Sequence, residues 1–292
     1  MMSNDKKYLW YKIKPFSTSA GEKYDEKKDE DLLLLCKNIP DILFQVLKTP
    51  KDRTTLTLRV PQDYGRMVDS IDSFGSTLNV SAVGMKIQLL STLHLAEKSV
   101  YPLVYDKNNV GRNLFSTFKD MPFGVFGLKL CHATSHRISK QYDSIHKKNK
   151  QYEEKNVSKI DPYESKAKQK AECQSFFHCE MFYGVRTLTD DEDYEKLIPY
   201  FVSGMKPNHL IRGKRIVYTD KQRDRANDLY ADMILSKPKK TSMILSDLDL
   251  LPFVRFPENP YNLGLDSAQT PTTSNTSTSE SAFDHLDEEF RE

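Results

Sequence analysis

Six cysteine and histidine side chains lie close enough in the sequence to suggest a metal site. Thiolates and imidazoles are the ligands that zinc prefers in proteins. The spacing argues against such a site, because no Cys-x2-Cys pair is present and a strand would point His178 and Cys179 to opposite faces. We predict no bound metal and no cofactor, and expect buried thiols and edge histidines instead; the candidate ligands are Cys131, His132, His136, Cys173, His178 and Cys179.

The short motifs that mark common catalytic sites are missing from the sequence. A phosphate-binding loop, GxxxxGK[ST], is absent, and the only Gly-Lys pair, Gly213-Lys214, lacks the spaced glycine and the hydroxyl residue. GxSxG and HExxH are absent too. The acidic run at residues 190–193 stands at a predicted helix start, where negative charge suits the helix dipole. We therefore expect a protein that is not an enzyme.

The most basic stretch, residues 136–172, suggests a contact with nucleic acid. Polar residues dominate it, with a sparse apolar stripe that predicts an exposed helical hairpin or a mobile insertion. Because Glu153 and Glu154 directly follow the first lysines, a solvated helix face is favoured over a phosphate-contacting surface. The candidate nucleic-acid-binding residues are Lys147, Lys148, Lys150, Lys166, Lys168 and Lys170.

Composition places the chain among cytoplasmic globular proteins. Its 43 basic and 41 acidic residues nearly cancel, so the overall charge gives no argument for nucleic-acid binding. The four cysteines are too sparse to indicate a disulfide framework, which fits a reducing compartment. We expect neither a signal peptide nor a transmembrane segment, since the longest apolar run is far shorter than the about 20 residues that span a bilayer.

The periodic patterns predict an α+β fold with two ferredoxin-like α/β sandwich domains in tandem and a charged helical insertion. Residues 32–48 are expected to form one or two helices broken at Pro40, and residues 54–60 alternate as a half-buried strand. Strand patterns follow at residues 78–90, 125–131, 173–185 and 211–218, and helix patterns follow near residues 110–118 and from residue 189 to residue 204, on both sides of the charged stretch. The predicted divisions are an N-terminal segment with a helix (1–50), a first domain (51–135), the insertion (136–172), a second domain (173–262) and a disordered acidic Ser/Thr-rich tail (263–292).

The stretch Met243–Pro257, MILSDLDLLPFVRFP, predicts a short strand followed by a capped apolar helical turn. Ser246 and Asp249 have the spacing of a capping box. We expect this segment to fold against the second domain.

Four phrases of the sequence resemble, in the same order, a region of a known family. They are TLTLRVPQDYGRMVDSIDSF, NLFSTFKDMPFGVFGLKLCHA, CQSFFHCEMFYGVR and MILSDLDLLPFVRFP. The region is the one that precedes the motor in conjugative DNA-transfer ATPases of the HerA/FtsK-like class, which includes type IV secretion and coupling proteins. Where that family continues into its Walker motifs, this chain continues into a Ser/Thr-rich segment. The resemblance covers residues 32–260 and implies an accessory region without the motor.

Two functions follow as hypotheses. The first is a non-enzymatic accessory or assembly protein of a DNA-transfer or DNA-translocation machine, on a conjugative plasmid, other mobile genetic element or virus. Its partner would be a separate DNA-translocating ATPase or another transfer-complex subunit, through which it would sit at the inner face of the membrane. The alternative is a nucleic-acid-binding protein that contacts DNA through residues 140–170.

Overall fold

The computed structural model describes residues 8–14, 27–48, 54–71, 76–80, 87–103, 124–187, 189, 192, 208–219 and 223–254. Nine strands and six α-helices lie in this part of the chain. The strands are β1 (Tyr8–Lys14), β2 (Asp41–Lys48), β3 (Thr54–Pro61), β4 (Ser76–Val80), β5 (Leu89–Leu95), β6 (Gly124–Ala133), β7 (Phe176–Val185), β8 (Leu210–Val217) and β9 (Met243–Ser246). The helices are α1 (Lys27–Asn38), α2 (Gly65–Asp69), α3 (His136–Glu154), α4 (Glu164–Ala171), α5 (Arg223–Leu235) and α6 (Asp247–Val254).

All nine strands belong to one sheet, and every strand pair in it is antiparallel. The order is β4-β1-β3-β2-β6-β7-β5-β8, with β9 paired to the first half of β7. The strands β6 and β7 pair along their whole length, from Gly124 opposite Val185 to Ala133 opposite Phe176. The pair β6–β7, which flanks the charged stretch, therefore lies inside the sheet with other strands on both sides.

Helices cover both faces of this sheet. On one face, buried side chains of α1, α2 and α6 pack against the sheet, among them Leu35, Val68 and Phe253. On the other face, Tyr230 and Ile234 of α5 pack against Phe182 and Val125. The hairpin of α3 and α4 packs on Phe176. Because side chains alternate along β7, Phe176 and Phe182 lie on the same face of the sheet, so the hairpin and α5 cover the same face.

The predicted division into two ferredoxin-like domains is not confirmed. The boundary after residue 135 falls between β6 and β7, which are paired strands. The strand β5, assigned to the first domain by sequence, lies between β7 and β8 of the second. Sequence periodicity identifies strands but carries no information about which strand pairs with which. The observed strand pairing joins the two predicted units into one mixed α/β fold.

The prediction of helix across residues 32–48 is wrong in its second half. Helix α1 ends at Asn38, and residues 41–48 form the strand β2. All eight residues of β2 are buried. A strand covered on both faces shows a continuous apolar run in place of alternation, so its sequence resembles that of a buried helix.

Other predicted elements agree with the structure or lie outside the described residues. The strands predicted at 54–60, 125–131, 173–185 and 211–218 match β3, β6, β7 and β8 within a few residues. The single strand expected at 78–90 is instead two, β4 and β5, on opposite sides of the sheet. The predicted helix near residues 110–118 and the tail at 263–292 lie outside the described residues, as does nearly all of the helix expected from residue 189 to residue 204.

The segment from Met243 folds against the shared sheet and the helix α1, and not against a separate second domain as predicted. Strand β9 pairs with β7, and helix α6 buries Leu250 and Phe253. Among the described residues, no helix has the length and apolar character needed to cross a membrane.

Candidate functional site: the helical hairpin and the polar rows beside it

The hairpin of α3 and α4 connects two strands that need only a tight turn. Antiparallel neighbours such as β6 and β7 are commonly joined by about two residues. Here residues 134–175 make the connection, and most of their side chains are exposed. An elaboration of this kind is where binding function concentrates, because the fold itself does not require it.

An apolar stripe fixes the hairpin to the sheet. Ile138 and Ile145 of α3 and Ala167 of α4 are buried against Phe176 and Ile244. Ile138 and Ile145 are seven residues apart, which places them on one side of the helix. Burying each isoleucine is worth about 1.5–3 kcal/mol. The prediction of a helical hairpin is confirmed, and the hairpin is docked on the sheet along α3.

Hydrogen bonds close the outer end of the hairpin. The Asn149 amide donates to a Glu164 carboxylate oxygen at 2.5 Å and accepts from the Asp161 backbone N–H at 2.9 Å. His146 Nδ1 lies 2.6 Å from the other Glu164 oxygen. The hydrogen bonds from His146 and Asn149 lower the pKa of Glu164. Helix α4 is thereby held against the flank of α3 that carries His146.

Lys170 is not available to bind a phosphate, which corrects its prediction as a nucleic-acid contact. Its side chain is fully buried, and its Nζ lies 2.7 Å from a carboxylate oxygen of Asp249, also fully buried. It donates to the backbone carbonyl of Ile244 at 3.2 Å as well. The same Asp249 accepts the backbone N–H bonds of Ser246 and Leu103, each at 2.8 Å. Lys170 therefore ties α4 to β9 and α6.

The other five predicted lysines are exposed, but they do not form one face. Lys147 and Lys150 project near the acids of α3, because Asp143 and Glu154 lie four residues from them. Lys168 pairs with Glu172 at 3.8 Å, an exposed contact worth little. Lys148 is exposed on another side of α3, and Lys166 is exposed on α4.

The predicted cysteine and histidine ligands are divided between the two faces of the sheet. Cys131 and His178 are direct neighbours across β6 and β7, while Cys179 is buried on the opposite face. His132 contacts the Cys36 carbonyl oxygen at 3.2 Å. His136 opens α3, and Cys173 lies between α4 and β7. Within the described residues, no three His, Cys, Asp or Glu side chains come together as a metal site would need.

Burial disfavours the thiolate form of two of these cysteines. It raises the pKa of Cys131 and, more strongly, the pKa of Cys179. A thiolate is the form that binds metals and attacks electrophiles. The pKa of His178 is lowered by burial and by the positive charges of Arg137 and Lys240.

A buried ion pair that the sequence did not indicate lies beneath the end of α5. The Arg59 guanidinium lies 2.6 Å from Asp41, and neither side chain is exposed. Arg59 also donates to the Ile234 carbonyl at the C-terminus of α5 and stacks 4.1 Å from the Tyr8 ring centre. Tyr8 donates its hydroxyl to Asp41 at 2.7 Å, and burial with that bond raises its pKa to about 12.

A second ion pair, between Lys129 and Glu180, continues this line of charged side chains across the sheet. Leu43 stands opposite both Arg59 and Lys129, and Lys129 stands opposite Glu180. Lys129 Nζ lies 2.8 Å from Glu180 and 3.0 Å from the Ser236 hydroxyl, just past α5. Positive groups therefore meet the negative end of the α5 dipole. The one sequence signal was a lone cation in each apolar strand, Arg59 in TLTLRVP and Lys129 in VFGLKL.

The chain matches no protein-family model, and no curated protein sequence gives a significant match. The features that bear on function are therefore the geometry of the hairpin and the charges around it.

Proposed function

We propose that this protein is a non-enzymatic accessory protein of a DNA-transfer or DNA-translocation machine, working beside a separate ATPase. The observation that supports it is the hairpin, a charged projection inserted between two strands that a tight turn would join. The partner class comes from the resemblance of the four sequence phrases to the region that precedes a transfer motor. In this proposal the protein acts on the cytoplasmic side and reaches the inner face of the membrane through its partners.

A docking role requires that the projection keep its position when a partner binds. The hairpin meets this requirement because it is held at both ends. Ile138 and Ile145 are buried along α3, and the Lys170–Asp249 pair holds the end of α4. A surface ordered in advance loses less conformational entropy on association than a mobile loop does.

The test is retention of the ATPase encoded in the neighbouring reading frame by the immobilised full-length chain. Truncation should begin after Val254, since β9 and α6 are part of the core. We expect retention by both the full-length and the truncated chain, and loss of retention when Lys147 and Lys150 are changed to Glu. If neither chain retains the ATPase, the assembly proposal is wrong.

A second function, nucleic-acid binding, is favoured by a specific observation. Among the exposed lysines of α3, Lys148 has no acidic residue three or four positions away, so its charge is open to a phosphate. Phosphate contacts make affinity fall steeply with salt, at a slope of about 0.9 per contact on duplex DNA. A steep salt dependence would support this function. Binding that is absent at low salt would leave only the assembly role.

A further inference from the structure

The charges of α3 are segregated around the helix axis. At about 100° per residue, Arg137, Lys148 and Lys155 fall within roughly 20° of one another. The three acids of this stretch, Asp143, Glu153 and Glu154, lie at least about 100° away from them by the same spacing. The residues between the three cations on that flank are Ser144 and Gln151, which are neutral and exposed. One flank of α3 therefore carries positive charge without acids.

This flank faces away from α4. His146 and Asn149, which hold α4, lie on the other flank of α3. The side chains of Arg137, Lys148 and Lys155 are exposed. Within the described part of the chain, no carboxylate lies at ion-pair distance from Lys148 or Lys155. Within the residues that the structure describes, the positive charge on this side is therefore not paired.

A basic loop continues the same surface beyond the start of α3. Arg137 Nη1 donates to the Ser242 carbonyl at 3.2 Å, which brings the loop of residues 236–242 to the end of α3. This loop contributes Lys240, whose side chain is exposed. Arg137 and Lys240 both lower the pKa of His178, so both charges lie near one imidazole. We name Lys240, Arg137, Lys148 and Lys155 the basic strip.

The dimensions and composition of the basic strip suit a duplex. From Arg137 to Lys155 it extends about 27 Å at 1.5 Å per residue, which matches roughly eight base pairs at 3.4 Å each. By the same spacing, Tyr142 lies about 120–140° from the strip and Tyr152 about 40–60° from it, and both side chains are partly buried. Single strands are generally held by stacking on exposed aromatic rings, and the strip has none.

We propose that the basic strip binds the phosphate backbone of duplex DNA, without contacts that read the sequence. This inference rests on the nucleic-acid-binding function proposed above and assigns it to one flank of α3. Contacts of this kind position a protein on a duplex and supply affinity that is independent of sequence.

The test compares two double variants of the full-length chain with the same net charge. K148Q/K155Q removes two charges of the strip, and K147Q/K150Q removes two exposed charges from the same hairpin outside it. Binding to a fluorescent 20-base-pair duplex is measured by anisotropy over a salt series. We expect K148Q/K155Q to lower affinity at least tenfold at low salt and to reduce the salt slope by about two. K147Q/K150Q should stay within about threefold of the unmodified protein.

A single variant outside the helix checks the continuation of the strip into the loop. K240Q should reduce the salt slope by about one. Circular dichroism of each variant confirms that the fold is kept, which is expected for exposed side chains.

Three other outcomes would each contradict a different part of the proposal. If the unmodified protein does not bind the duplex at low salt, the nucleic-acid-binding function itself is wrong. Equal losses in the two double variants would mean that binding is diffuse and that the strip is not the site. A single strand of equal length that binds as tightly, with the same dependence on the strip, would overturn the assignment to duplex DNA.

Discussion

The pair of Lys170 and Asp249 shows how much of this fold depends on single buried charges. It joins α4, which belongs to the hairpin, to α6, which closes the opposite face of the sheet. Leu103 and Ser246 complete the bonding of the Asp249 carboxylate. A charge removed from water costs several kcal/mol unless it is paired and hydrogen-bonded, and here both conditions are met.

Lys170→Met should lower the free energy of unfolding by about 3 kcal/mol, because Asp249 would be left buried without its counter-charge. Urea denaturation measures the loss. Lys168→Met is the matched control, since Lys168 lies two residues away and is exposed, and it should change stability by less than about 0.5 kcal/mol. A loss below 1 kcal/mol for Lys170→Met would contradict the structural role of the pair.

Gly127 is required by the side chain on the neighbouring strand. A Cβ atom at this position would lie 2.0 Å from the Phe182 ring. Gly127→Ala should therefore cost about 1–3 kcal/mol through displacement of that ring. The cost should shrink in a Phe182→Leu background, which a double-mutant cycle by urea denaturation detects. Gly184→Ala, where the nearest atom lies 3.1 Å away, should cost less.

The sequence predicted single residues well where the interaction is local. Ser246 and Asp249 are three residues apart, and one of the two bonds of the predicted capping box is present, from the Ser246 backbone N–H to the Asp249 carboxylate at 2.8 Å. The Ser246 hydroxyl donates to the same carboxylate oxygen at 2.9 Å. The partner of that carboxylate could not be predicted in this way. Lys170 lies 79 positions earlier, in a stretch whose composition indicates exposure, and only the packing of α4 buries it.

At the scale of elements, helix α3 ends in a Schellman motif that uses asparagine in place of glycine. Asn156 has a φ of 50°. The Val157 N–H donates to the Tyr152 carbonyl at 2.9 Å, and the Asn156 N–H donates to the Glu153 carbonyl at 3.1 Å. These bonds satisfy carbonyl groups that the helix end leaves without partners.

Substitutions at Asn156 should separate backbone strain from side-chain contacts. Asn156→Ala should destabilise the protein by about 1 kcal/mol, since alanine adopts a left-handed conformation at a cost of roughly 1–2 kcal/mol. Asn156→Gly should be neutral or slightly stabilising, because glycine has no Cβ to clash. Thermal unfolding of both variants gives the comparison. Equal destabilisation by the two substitutions would indicate that the asparagine side chain matters more than the backbone.

Helices and strands were predictable from the sequence where a single hydrophobic periodicity dominated. The alternation in residues 54–60 gave β3 within a residue, and the stripe containing Ile138 and Ile145 gave a helix. Strand β2 was mistaken for helix because burial on both faces removes alternation. Lys148 was the one member of the basic strip among the predicted lysines, since that cluster was chosen by proximity in sequence and not by position around the helix.

The order of the strands decides how the whole molecule should unfold. Strands before and after the hairpin share one sheet, and β5 is paired on both sides with strands from beyond the hairpin. The predicted first and second domains could not come apart without breaking the pairing of β7 with β6 and with β5. This arrangement could not be predicted from local patterns, which are equally compatible with two separate sheets.

Unfolding should therefore be a single cooperative transition. The only tryptophan, Trp10, lies in β1 near one side of the sheet and reports on that side alone. Its fluorescence and far-ultraviolet circular dichroism should give the same urea midpoint, as two-state behaviour requires. The sharper form of the test uses Lys170→Met, whose site lies beside β7 and β9. If the sheet is one unit, the Trp10 midpoint must fall together with the circular dichroism midpoint. A Trp10 transition that stays in place while the other signal shifts would show two independent domains, because a local loss of stability spreads only within a cooperative unit.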